Sequence, residues 1–173
     1  MRVSVRSLRL RPGEEHREIL GRLALEPLVL GGETYAVATP DPPATLTVQR
    51  AATGDLFRLE LSTSVDGPCV RCLAAARAIV DVVAQEYEAT DPGPDDELRC
   101  EYLADGELDV GAWARDQVVF ALPDLILCRP DCAGLCPTCG KDLNAEPHEH
   151  PGEAIDGRWA ALEVLRADMP PEG

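Results

Sequence analysis

"TLTVQRAATGDLFRLELSTSV", residues 45 to 65, carries the clearest fold signal in the chain. Leu46 and Val48 alternate with polar neighbours, "TGD" supplies a turn, and Leu56, Arg58, Leu59, Glu60 and Leu61 resume the run. Period-two patterning on both sides of turn residues reads as an antiparallel hairpin. Downstream, "DGP" leads into "CVRC" at 69–72 and then "LAAARAIVDVVAQEYEA" at 73–89. That last stretch fits two readings. Ala78, Val80, Val82 and Ala84 make a strand face, while Ala76, Val80, Val83 and Tyr87 make a helix face that the alanines favour. The β-branched centre and the preceding hairpin tilt the expectation to strand.

Outward from this centre, "RVSVRSLRL" at 2–10 alternates like a half-buried strand. "LGRLALEPLVLGGETYAVA" at 20–38 reads as strands broken at Pro27 and the Gly31–Gly32 pair, and "PDPPA" and "TDPGPDDE" read as loops. "LRCEYLADGELDV" holds a short strand and a turn at "ADG". The best helix is "DVGAWARDQVVFALPDLIL", with Asp109 as cap, Trp113, Gln117, Phe120 and Ala121 near one face, and Pro123 as its stop. "IDGRWAALEVLRADM" suggests a short closing helix. The expected fold is α+β: an antiparallel sheet that could close into a barrel over residues 1–127, one packed helix, and a zinc knuckle with a short helix over 128–173.

Composition narrows the function. Among 173 residues only 4% are aromatic, so the core must be aliphatic. Net charge is −15, yet six arginines face three glutamates in the first 22 residues. An acidic surface repels phosphate, which argues against a broad nucleic-acid face; the charge suits a basic protein partner or serves solubility alone. Arg2, Arg6 and Arg9 could still touch RNA locally, and no basic recognition helix suits duplex DNA. The opening stretch lacks the apolar core of a signal peptide, and no window of about 18 apolar residues suggests a membrane span. The expected compartment is the cytoplasm, where seven cysteines point to metal or redox chemistry rather than a disulfide framework.

"CRPDCAGLCPTCGKDLN" at 128–144 concentrates four of those cysteines. The pair Cys136-x-x-Cys139, followed by Gly140, is a zinc-knuckle signature: short loops deliver thiolates in pairs to a tetrahedral ion. Cys132, Cys136, Cys139 and one of His148 and His150 would complete a local site, with Cys128 as a spare or an exchange for Cys132. A second assignment joins Cys69 and Cys72 to Cys136 and Cys139 as a split ribbon. A third reads CVRC as a redox dithiol with Arg71 beside it, although no βαβ pattern surrounds it. Cys100 stands alone, as a small buried hydrophobe would. No G-x-S-x-G, P-loop or G-x-G-x-x-G is present, and His148-Glu149-His150 is not H-E-x-x-H. A site closed by four protein ligands is structural, so no enzyme is expected.

Together "CVRCL", the helix stretch ending in "LPDLILC", "CRPDCAGLCPTCGKDLN" and "DGRWAALEVL" resemble the YceD family, the bacterial large ribosomal RNA subunit accumulation proteins. The resemblance covers most of residues 3–168 and implies a role in 23S rRNA accumulation and large-subunit assembly. It carries over to Cys69, Arg71, Cys72, Cys132, Gly134, Leu135, Cys136, Cys139, Gly140, Leu143 and Asn144. Where many relatives place C-x-C after the Asn, this chain has His148-Glu149-His150, and imidazole can replace thiolate on zinc. Where relatives resemble D-P-R-L, it has Asp156-Gly157-Arg158-Trp159. Some relatives keep the CxRC without the downstream block, which weakens the split ribbon. The implied partners are the large-subunit precursor or a basic ribosomal protein, with Arg71 and the N-terminal arginines as contacts. A zinc-dependent RNA-processing enzyme and a thiol redox protein are the alternatives.

Overall fold

A computed structural model describes residues 1–41, 43–91 and 98–150. The expected closing helix lies outside the described residues. The chain divides into two compact units, 1–132 and 133–173. Cys128 and Cys132 therefore fall in the first unit.

The first unit is built on one long hairpin. Strand β6 (Gly54–Pro68) pairs antiparallel along its whole length with β7 (Ala75–Ala89). Phe57, Leu59, Leu61 and Val65 of β6 and Ala76, Ala78, Val80, Val82 and Ala84 of β7 point to the core, while Ile79 and Val83 face outward. Residues 73–89 offered both periods, and pairing with β6 selects the strand. Every second side chain is then buried, alanines included, which overrides their helix propensity.

The other edge of β6 is shared. Strand β5 (Ala44–Arg50) pairs with residues Asp55 to Glu60, and β4 (Glu33–Val37) pairs at Val65 and Asp66. Beyond them, β2 (Glu15–Leu20) pairs with β5, and β3 (Leu28–Leu30) pairs with β4 across the Gly31–Gly32 turn. Gly31 and Gly32 both have positive φ, at 60° and 88°, which explains why glycine serves there. The sheet stays open, which corrects the barrel expectation. A barrel must pair its outermost strands to each other. Among the described residues, β2, β3 and β7 each pair on one edge only.

A small second sheet joins β1 (Arg2–Ser4), β9 (Glu107–Asp109) and β8 (Leu103–Ala104) in the order β1-β9-β8. The alternation at the N-terminus does not continue as strand. After Ser4 the chain makes one helical turn, α1 (Val5–Leu8), where Val5 N–H donates to the Gly106 carbonyl at 2.9 Å. Val3 and Val5 both remain buried.

Helix α2 (Val110–Phe120) begins where expected, with Asp109 Oδ1 accepting from Ala112 N–H at 3.1 Å. Its inward face is Val110, Trp113, Ala114 and Val118, one stripe at helical spacing. The expected face was rotated too far: Phe120 is 79% exposed.

Tyr35 fixes the end of the hairpin that carries CVRC. Its ring lies where a side chain at Gly67 would stand, and its hydroxyl donates to the Pro68 carbonyl at 2.9 Å. Gly67→Val should therefore force the ring out, at roughly 1–3 kcal/mol, read as a lowered denaturant midpoint.

The Ala112 N–H holds the Asp109 carboxyl below its usual range; burial opposes this, and Arg2 and the N-terminal ammonium reinforce it. A depressed folded value gives stability above the unfolded pKa near 3.9 that is lost as pH falls through the folded value. Asp109→Ala should cost about 1 kcal/mol near neutral pH. In paired denaturation curves the gap should close as the solution is acidified below pH 4.

Candidate metal centres

Six of the seven cysteines and two of the three histidines gather into two groups. One is Cys69, Cys72, Cys128 and Cys132, within the first unit. The other is Cys136, Cys139, His148 and His150, within the second. In each, the four ligand atoms lie within 4.8 Å of one another. Zinc–sulfur bonds of about 2.3 Å in a tetrahedron set sulfur–sulfur edges near 3.8 Å. Both groups fit an ion of that size and preference.

The first group is assembled at the β6–β7 turn. Cys69 is the residue after β6; its N–H donates to the Ala74 carbonyl at 2.7 Å, and Leu73 N–H returns to the Cys69 carbonyl at 2.9 Å. Leu73 has φ 62°, a left-handed conformation that a branched residue adopts only where surrounding contacts impose it. The segment leaving α2 is tied to this turn at two points. Val70 N–H donates to the Ile126 carbonyl at 3.1 Å, and Arg71 Nη1 donates to the Cys132 carbonyl at 2.8 Å. Cys69 Sγ then lies 3.8 Å from Cys132 Sγ, and Cys72 Sγ lies 3.5 Å from Cys128 Sγ. Cys69 and Cys132 are buried, and Cys72 and Cys128 lie nearer the surface.

The Cys69 and Cys128 thiols are shifted in opposite directions. Burial pushes the Cys69 thiol up, but N–H groups of Cys128, Arg71 and Cys72 outweigh it and hold it at about 6. Cys128 is pushed up to about 12, first by sharing a hydrogen bond with Cys72, then by burial and the other two sulfurs. Like charges placed this close together oppose one another's ionisation.

The second group rests on a tight turn. Gly140 N–H donates to the Cys136 carbonyl and Cys136 N–H to the Lys141 carbonyl, each at 2.8 Å. Leu135 and Asp142 form a bridge, and Leu143 N–H donates to the Gly134 carbonyl at 2.9 Å. Gly134 and Gly140 have φ 81° and 72°, where only glycine is free of strain. Asn144 Oδ1 accepts from Ala133 N–H at 2.7 Å, closing the loop from the other side. His148 Nδ1 donates to the Glu146 carbonyl at 2.7 Å, which turns Nε2 toward Cys139 Sγ at 3.1 Å. That is how a ligating imidazole is usually oriented. N–H groups of Cys139 and Thr138 outweigh burial and hold Cys136 at about 6.

Sequence reasoning named all eight residues but grouped them differently. Cys132 stands with Cys69, Cys72 and Cys128, not with Cys136 and Cys139. Both histidines join the knuckle, not one. Cys69 and Cys72 share no group with Cys136 and Cys139. CVRC occupies a turn between antiparallel strands, not the first turn of a helix, so it lacks the dipole that activates thioredoxin-type dithiols. Cys100 is 3% exposed and stands outside both groups, its thiol pushed up to about 11 mainly by burial. Of the arginines expected at a partner surface, Arg71 holds Cys132, and Arg2 Nε donates to Asp109 at 3.2 Å. Arg6 lies over Gly106, and Arg9 takes φ 49° after α1. No helix among the described residues is long and apolar enough to cross a membrane.

The fold is an open antiparallel sheet whose hairpin turn and post-helix segment bring two pairs of cysteines into one metal-type tetrad. The chain belongs to the YceD family: residues 57–166 match the family model described as "Large ribosomal RNA subunit accumulation protein YceD". It is also 38% identical over 122 residues to uncharacterized proteins of Mycobacterium tuberculosis and Mycobacterium bovis, covering 68% of this chain. A Mycobacterium leprae relative is 38% identical over 108 residues, 59% of this chain and 49% of its own length. The match spans 58% of the length of the tuberculosis and bovis relatives. No solved structure matches the chain.

Because Arg71 is engaged within the fold, Arg71→Ala should destabilise the isolated protein with no RNA or partner present. One hydrogen bond from a charged donor is worth about 1–2 kcal/mol at a partly exposed site, a melting-temperature drop of about 2–8 °C. Scanning calorimetry checks this.

Proposed function

We propose that the chain is a non-enzymatic factor in biogenesis of the large ribosomal subunit. It supports 23S rRNA accumulation in the cytoplasm and carries zinc as a structural metal. The observation that carries the reading is the family match over residues 57–166. Two features agree with it. Each metal-type group draws all four of its ligands from the protein, and a closed site leaves no position for an activated water. A net charge of −15 favours a basic partner over bare RNA.

The partner is accordingly a basic ribosomal protein, held by acidic side chains within the large-subunit precursor. Contact with rRNA is local and falls to Arg6, Arg9 and the exposed ends of Arg2 and Arg71. Zinc at Cys136, Cys139, His148 and His150 organises the knuckle, whose short turn has little core of its own.

Two measurements test this. In binding titrations at several salt concentrations, purified basic ribosomal proteins should bind and naked rRNA should bind weakly. Tight, salt-sensitive binding to naked rRNA alone would overturn the partner assignment. Turnover of rRNA precursor fragments abolished by a chelator would instead favour a zinc-dependent processing enzyme. In hydrogen exchange, metal removal from the knuckle should expose residues 133–150 while β5–β7 stay protected. Global loss of protection would mean that this ion holds the core.

A further inference from the structure

Cys69, Cys72, Cys128 and Cys132 are brought together by the first unit alone. We propose that these four thiolates hold a metal ion of their own, of the zinc class, separate from the ion at the knuckle. This stands apart from the ribosomal reading, since it concerns the isolated chain and needs no partner.

The geometry supports it in three ways. First, the contacts at 3.8 and 3.5 Å are two edges of the tetrahedron that zinc–thiolate bonds generate. Both run across the site, from the CVRC turn to the 128–132 segment. Neither joins the two cysteines within a pair, so the arrangement uses two two-point clips facing each other. Second, the frame is fixed by groups that are not ligands. The Val70–Ile126 and Arg71–Cys132 hydrogen bonds hold the segments at this spacing. Third, the donor set is all sulfur, which selects zinc or iron over hard cations. Two of the four cysteines are buried, so the ion would be shielded from exchange and from oxidants.

Such an ion is a clamp. Cys69 and Cys132 are 63 positions apart in sequence. A bond through the metal closes that long loop, and closure of a long loop removes entropy from the unfolded chain. The clamp ties the end of the long hairpin to the segment leaving α2. Its removal should loosen that end of the first unit rather than the knuckle.

Metal-free full-length protein titrated with cobalt, then back-titrated with zinc, reads this directly. Wild type should take up two cobalt ions, with the strong sulfur-to-metal absorption of thiolate coordination, and zinc should displace both. Cys136→Ser with Cys139→Ser should still bind one ion and keep the all-sulfur spectrum. Cys69→Ser with Cys132→Ser should bind one ion with a weaker, mixed sulfur–nitrogen spectrum. Uptake of no ion by the knuckle variant, or uptake without the all-sulfur spectrum, would overturn the proposal. Should a variant fail to fold, alkylation mapping of native wild type replaces it. Cys69, Cys72, Cys128 and Cys132 should resist modification as a set and become reactive only with a chelator. Chelation should also raise hydrogen exchange at 66–77 and 122–132. Modification of these thiols without chelator, or their recovery as Cys69–Cys132 and Cys72–Cys128 disulfides from freshly isolated protein, would contradict it.

Discussion

The pairing of β6 with β7 is the constraint on which the rest depends. Fifteen residues of each strand lie in register from Gly54 opposite Ala89 to Pro68 opposite Ala75. A slip of one residue would turn Leu59, Leu61 and Val65 from core to solvent. The register therefore also fixes where the turn falls, and the turn is where CVRC sits. Helix α2 packs on the inner side of the same hairpin. The segment that leaves it returns along the turn, which brings Cys128 and Cys132 opposite Cys69 and Cys72. The geometry of this four-cysteine group is a consequence of strand register, and only secondarily of cysteine spacing.

That explains what was legible in the sequence and what was not. The 45–65 hairpin, the Gly31–Gly32 turn, the Asp105–Gly106 turn and the Asp109 cap were readable because each is a local rule. The eight candidate ligands were readable for the same reason: paired cysteines announce themselves. Their partition was not. Cys132 is four positions from Cys136 and 63 from Cys69, so proximity in sequence pointed to the knuckle. The decision lies in Val70, Arg71 and Ile126, whose hydrogen bonds hold the 126–132 segment against the hairpin. No spacing rule carries that information. The open sheet was missed for a similar reason. Alternation reports which face is buried, but not whether the last strand meets the first. Phe120 was placed inward because the helix period alone leaves its rotation about the axis free by one residue.

Each group offers four side-chain ligand atoms within 4.8 Å of one another, as many as a tetrahedral zinc takes. The motif residues around the knuckle have mechanical work. Gly134 and Gly140 supply left-handed turns, Leu143 bonds back to Gly134, and Asn144 seals Ala133. Arg71 does likewise at the hairpin turn. These contacts shape the two turns of a chain that belongs to a family named for accumulation of large-subunit rRNA.

Two ions in one chain, one for each tetrad, would be visible by anomalous diffraction from crystals of the native protein, recorded on both sides of the zinc absorption edge. Two peaks per chain are expected. One should lie within about 2.3 Å of the sulfurs of Cys69, Cys72, Cys128 and Cys132, and the other should be shared by Cys136, Cys139, His148 and His150. A single peak bonded to Cys132, Cys136 and Cys139 together, or none at either cluster, would contradict this expectation.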